Sequence, residues 1–284
     1  MKRKILLPTD FSKNAWHAIT YALELYKKEH VDFYILNVFS ATGNILSSLM
    51  NMEPGSEMYE TAKLDSENGL AKVLDMLTFR DHNNPKHHFE TISQFNSVVE
   101  AITNVVEEKD IEMIVMGTKG KTASKSKVFG GVAIAVMEKV RNCPVIVVPE
   151  LAKHNLPKEI VFPTSFKTSI KRRELNYLID LAKNCDATIR ILHLAAEDKL
   201  SEKQLSNKAL LQEYFESVPH TFHVLSLTEI PVAINCFVES RDSDMVAFIN
   251  KKHAFFGSIL SNPLVKEIGY DSKVPIFVMH DFRN

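Results

Sequence analysis

The chain is written twice. Ile5-Leu6-Leu7-Pro8-Thr9-Asp10-Phe11 recurs as Ile160-Val161-Phe162-Pro163-Thr164-Ser165-Phe166. An amphipathic stretch follows each copy, residues 15–28 in the first and 175–183 in the second. A second apolar run comes next: Tyr34-Ile35-Leu36-Asn37-Val38, then Arg190-Ile191-Leu192-His193-Leu194. Toward the end of each half Met113-Ile114-Val115-Met116 parallels Met245-Val246-Ala247-Phe248, and residues 143–148 parallel 274–279. A length of 284 residues leaves room for two domains, and the repeat makes them copies of one another. The expected division is 1–150 and 151–284, with the junction near Glu150 to Pro157.

These short runs are continuously apolar rather than alternating, the pattern of strands covered on both faces in a parallel sheet. Helical periodicity lies between them. Val98, Val99, Ile102, Val105 and Val106 fall on one face over residues 96–107, and Ile134, Val136, Met137 and Val140 do so over 132–140. The expected fold class is α/β: two tandem, doubly wound, five-stranded parallel sheets of Rossmann-like type. In such sheets ligands gather at the carboxyl ends of strands where the strand order reverses.

Composition limits the ligand. Lys plus Arg (34) nearly cancels Asp plus Glu (35), so the chain has no overall charge for a nucleic acid or an anionic membrane, and neither is expected as a partner. Cys143, Cys185 and Cys236 are odd in number and far apart, which fits a reducing compartment better than a disulfide framework. The N-terminal apolar stretch stops at Pro8, too short for a signal peptide, and the expected location is cytoplasmic.

The most chemically specific segment runs from Met116 to Val132 and is rich in Gly and Lys. It leaves a buried strand and enters a buried helix, where glycines permit close backbone approach and the helix N-terminus offers unpaired N–H groups to phosphate. Gly120-Lys121-Thr122 is not the tail of a Walker A loop, which needs a glycine where Val115 stands. A GxGxxG dinucleotide turn is also excluded, because the first strand is followed by Pro8-Thr9-Asp10-Phe11.

On these residues the chain resembles a tandem member of the universal stress protein (UspA) family, within the adenine nucleotide-binding, α-hydrolase-like α/β superfamily. The nucleotide-binding branch of that family carries G-x2-G-x9-G-[ST]; Gly117, Gly120 and Gly130 keep the spacing, and Gly131 replaces the hydroxyl residue. The resemblance implies ATP or another adenine nucleotide, alone or with Mg. Pro8, Thr9, Asp10, the backbone of Val38, Met116 and Gly117 would lie around adenine and ribose. Gly120, Gly130, Gly131 and Val132 would hold the phosphates, with Lys119, Lys121 or Lys127 adding positive charge. The second half has Ser165 for Asp10 and Ser261-Asn262 for the glycine pair, so it is expected to be a degenerate copy without nucleotide. Its Gly257-Ser258 pair lacks the preceding G-x2-G. Because family members dimerise through their last strand, the resemblance further implies an intramolecular pseudo-dimer, with a homodimer of whole chains as an additional option.

Three other features stand out in the sequence. The segment around Ala41 to Leu64, present in the first half alone, reads either as a cover over a ligand or as a surface loop. His82, His87 and His88 cluster, but adjacent histidines in a strand point to opposite faces and make a poor metal site. No nucleophile-base-orienter set or Gly-x-Ser-x-Gly elbow is present, which leaves slow ATP hydrolysis as the most that enzyme chemistry would offer. The expected function is a nucleotide-binding regulator of a stress response; the alternative is a scaffold that works without nucleotide.

Overall fold

The computed structural model describes residues 2–39, 54–81, 84–119, 130–194, 200–225, 230–250 and 273–280. In the first half β1 (Arg3–Pro8), α1 (Lys13–Leu25), β2 (Val31–Phe39), α2 (Glu57–Asp81), β3 (His87–Phe95), α3 (Val98–Lys109), β4 (Met113–Gly117), α4 (Gly131–Lys139) and β5 (Val145–Val148) alternate strictly. The second half repeats this order as far as its fourth strand, with β6 (Glu159–Thr164), α5 (Arg172–Cys185), β7 (Thr188–Leu194), α6 (Glu202–Tyr214), β8 (His220–Leu225), α7 (Ile230–Arg241) and β9 (Met245–Asn250); residues 251–272 lie outside the described residues, and β10 (Ile276–His280) follows.

The ten strands form one sheet in the order β3-β2-β1-β4-β5-β10-β9-β6-β7-β8. All neighbours are parallel except β5 and β10, which pair antiparallel with Ile146 opposite Phe277. The halves are thus joined edge to edge, as the pseudo-dimer expectation required. Their chemistry leaves little choice. Every residue of β5 is fully buried, as is Phe277, and an apolar strand of this kind left as an open edge would invite pairing with another chain. Across the seam the Arg141 guanidinium donates to Asn250 O (3.0 Å) and Asn250 Nδ2 to Met137 O (3.3 Å).

Alternation along the strands divides the core in two. Ile5, Leu7, Phe33 and Ile35 face α1 and α2, while Leu6, Tyr34, Leu36 and Met116 face α3 and α4. Both cores run on into the second half, through α5 and α6 on the first face and α7 on the other. The sheet is therefore covered on both sides, as the continuous apolar runs indicated.

Several expectations are sharpened. The segment 41–64 is not one loop: from Glu57 onward it is the start of α2, whose 25 residues compare with 13 in the corresponding α6. Residues 40–53 lie outside the described residues. Of the histidines, His87 bonds to Tyr26 O (3.1 Å) with its ring edge-on to Phe33, and His88 is exposed, so the two do alternate. His82 is outside the described residues.

Candidate functional site

In each half the strand order reverses between the first strand and the fourth. In the first half this point is the gap between β1 and β4, and the local sequence shapes both of its lips. After Pro8 the chain must leave the sheet and start α1 within a few residues. Thr9 Oγ1 accepts from Phe11 N (3.0 Å), Asp10 Oδ1 from Ser12 N (3.1 Å), and Ser12 Oγ caps the helix through Ala15 N (3.1 Å). Phe11 takes a left-handed φ of 62° to complete the turn. Asn37 Nδ2 donates to Thr9 O (2.7 Å), tying the turn to the end of β2. Asp10 thus has one carboxylate oxygen committed to turn geometry.

The opposite lip is held by Asn14, the second residue of α1, which is buried. Its Oδ1 accepts from Lys119 N (2.8 Å) and Thr118 Oγ1 (3.3 Å), while its Nδ2 donates to Val148 O (3.2 Å). One side chain therefore fixes the exit of β4 and the end of β5 against α1. Gly117 is glycine for this reason: an added Cβ would stand 2.6 Å from Asn14 Oδ1 and 3.0 Å from Asn14 O. Sequence reasoning missed Asn14 because its helical stretch began at Ala15; the signal was the Ser12 cap, which puts Asn14 inside the first turn.

Beyond Lys119 the chain returns at Gly130, whose N–H donates to Thr118 O (2.7 Å). That bond brings Gly130 beside the residue that follows Gly117. Gly130 is the N-cap of α4 and offers no side chain to its first turn. Among the described residues, an added Cβ at Gly131 would meet nothing within 4 Å, and Val132 is exposed. No described residue covers the helix start, which has the main-chain N–H groups of Gly131, Val132 and Ala133 in its first turn. Val38 packs against the apolar cluster that contains Met116, on this same α3 and α4 face. Of the residues expected at the site, the structure brings Pro8, Thr9, Asp10, Val38, Met116, Gly117, Lys119, Gly130, Gly131 and Val132 to one end of the sheet. Gly120, Lys121 and Lys127 lie outside the described residues, as do 257–258 and 261–262 of the second half.

The second half builds the same turn and then closes it. Phe166 has φ 57°, and its N–H bonds Thr164 Oγ1 (3.1 Å). His193 stands where Asn37 stands, because Pro8 pairs with Leu36 as Pro163 pairs with Leu192. Its Nδ1–H donates to Thr164 O (3.0 Å), and burial pushes its imidazole pKa below the usual value.

Comparison with known proteins agrees with this architecture. The model of the universal stress protein family matches residues 1–149, the five-stranded unit that ends at β5. The chain belongs to the universal stress protein family. Universal stress protein MJ0531 of Methanocaldococcus jannaschii is 30% identical over 154 residues, covering 53% of this chain and 84% of that protein. Universal stress protein MJ0577 of the same organism is 28% identical over 157 residues, covering 52% and 95%. A crystal structure of a universal stress protein from Archaeoglobus fulgidus superposes with a TM-score of 0.71 at 19% identity, over 97% of this chain and 95% of that one. That likeness concerns the fold, and it extends the universal stress protein architecture over both halves.

Proposed function

We propose that the first half binds ATP or a related adenine nucleotide between β1 and β4, and that occupancy of this site acts as a signal in a stress response. The observation that carries the reading is the open first turn of α4, delivered to the strand ends by the bond from Gly130 N to Thr118 O. A helix start without a side-chain cap presents N–H groups and the positive end of the helix dipole, which suits phosphate. Val38 and Met116 supply apolar surface on the same face for a base. The spaced glycines and the resemblance described above support adenine as that base. The second half, with Ser165 for Asp10 and its turn closed by side chains, serves as the structural partner that completes the sheet.

The test is mass spectrometry of acid-extracted protein together with calorimetric titration of the whole chain with ATP. Gly130→Leu should abolish binding while the circular dichroism spectrum is retained. Gly131→Ser has room for its side chain, and a hydroxyl bonded to a charged phosphate contributes about 1.5–3 kcal/mol, so affinity should rise about tenfold or more. Absence of heat and of extracted nucleotide at millimolar ATP, in the parent and in Gly131→Ser alike, would refute the reading.

A further inference from the structure

The β1–α1 turn has a second side. On the α1 and α2 face, away from Val38 and Met116, a cavity of about 660 Å3 opens between the two helices. Its wall includes the side chains of Thr9, Asn37 and Ser66, all buried, and the rings of Phe11, Trp16 and Phe39. Asp65, Asn68, Lys72 and Met76 rim it at intervals of three or four residues, all exposed and hence on one side of α2. Alternation along β2 explains the separation: Val38 points to one face of the sheet, Asn37 and Phe39 to the other.

The second half bridges the corresponding turn with side chains. There His193 stacks on Phe166 (4.7 Å between ring centres), and α6 sends Gln204 Nε2 to Ser165 O (2.9 Å) and Asn207 Nδ2 to Phe166 O (2.7 Å). In the first half α2 places Gly69 against Phe11, so close that a Cβ would collide with the ring, and Ser66 turns to Ser93 Oγ (2.7 Å). Side chains of α6 bond the main chain of the turn in one copy, whereas in the other α2 borders a cavity beside it. The hollow has the size of a small-molecule site, roughly 300–1,000 Å3.

The lining defines the guest. Three rings with Ala62 and Val73 favour a flat apolar body. The buried polar groups are uncharged. Asn37 Nδ2 is committed to Thr9 O, which among the described residues leaves Asn37 Oδ1 as an acceptor for a hydrogen bond from the guest. One acid, Asp65, and one base, Lys72, at the mouth favour no net charge. We propose that this cavity is a second ligand site, which takes an uncharged bicyclic heteroaromatic molecule with its ring N–H toward Asn37 Oδ1.

Trp16 is the single tryptophan of the chain and lines the cavity, so its emission reports occupancy. Benzimidazole, neutral at neutral pH, is the probe, titrated into the full chain under selective tryptophan excitation. The expected result is a saturable change in emission that persists in saturating ATP and in Gly130→Leu. Ala62→Phe, which puts a ring into the mouth, and Asn68→Phe at the exposed rim should each weaken binding tenfold or more. The second variant remains decisive if the first fails to fold. A linear, non-saturating response, displacement by ATP, or unchanged affinity in both folded variants would overturn the proposal.

Discussion

The contact between Asn14 and Gly117 gives two competing explanations of one glycine, and a double-mutant cycle separates them. In Gly117→Ala the new Cβ would lie 2.6 Å from Asn14 Oδ1 and 2.9 Å from Asn14 Cγ. Ordinary carbon contacts sit at about 3.5–4.0 Å, so the amide must move by about 1 Å. Such a shift breaks its bonds from Lys119 N and Thr118 Oγ1. Overpacking of this kind costs about 1–3 kcal/mol and each of the two lost bonds about 1 kcal/mol, which places the single variant about 3–5 kcal/mol below the parent. Asn14→Ala alone removes three bonds and strands buried partners, a loss of similar size. Once Asn14 is alanine, the remaining obstacle to Gly117→Ala is the main-chain oxygen at 3.0 Å, and the second substitution should cost about 1 kcal/mol. The coupling energy is then about 2–4 kcal/mol, well above the scatter of such cycles. Urea unfolding of the four proteins, with calorimetric ATP titration beside it, supplies the measurement. Equal costs for Gly117→Ala in both backgrounds would refute the packing argument. A glycine retained only for ligand approach would leave stability untouched and lower ATP affinity alone.

Two further outcomes follow from the geometry. Gly69→Ala pushes the Phe11 ring aside, but that ring borders the hollow and has space to enter, while alanine improves the helix by about 1 kcal/mol. The net loss in urea unfolding should stay below about 1 kcal/mol; a loss beyond about 2 kcal/mol would mean that the hollow is not available to the ring. Burial would raise the Glu159 carboxyl, but hydrogen bonds from Arg241, Ser243 and Arg190 outweigh it and hold the pKa at about 2. A lowered carboxylate pKa gives stability that is present above the unfolded value of 4.5 and lost as pH falls toward 2. After allowance for solvent screening this amounts to about 1–2 kcal/mol, so the parent should lose that much more than Glu159→Gln across this window. Parallel unfolding curves for the two proteins would contradict it.

How much of the site could be read in advance differs from residue to residue. Gly117 and Gly130 announced themselves by spacing, and the bond from Gly130 N to Thr118 O gives that spacing its physical sense. The purpose assigned to Gly117 was incomplete, because its nearest neighbour is a side chain 103 positions earlier whose partners, Lys119 N and Val148 O, are main-chain atoms. No residue pattern records such a partner. The Asp10 turn was legible as a strand exit, whereas the role of its carboxylate in bonding Ser12 N emerges only from the backbone conformation.

The sequence by itself determined the repeat, the alternation of strand and helix, and the end of the sheet at which the glycine-rich segment leaves β4, since each follows from local periodicity and from one pattern occurring twice. Only the tertiary structure decided that β5 and β10 fuse the copies into one ten-stranded sheet, that Asn14 sets the path out of β4, and that a turn spelled almost identically in both halves borders a cavity in one and is bonded by helix side chains in the other. The reason is physical. Strand and helix preferences are written along the chain, but close approach is settled by what α2 or α6 brings to the turn: Gly69 and Ser66 in one copy, Gln204 and Asn207 in the other.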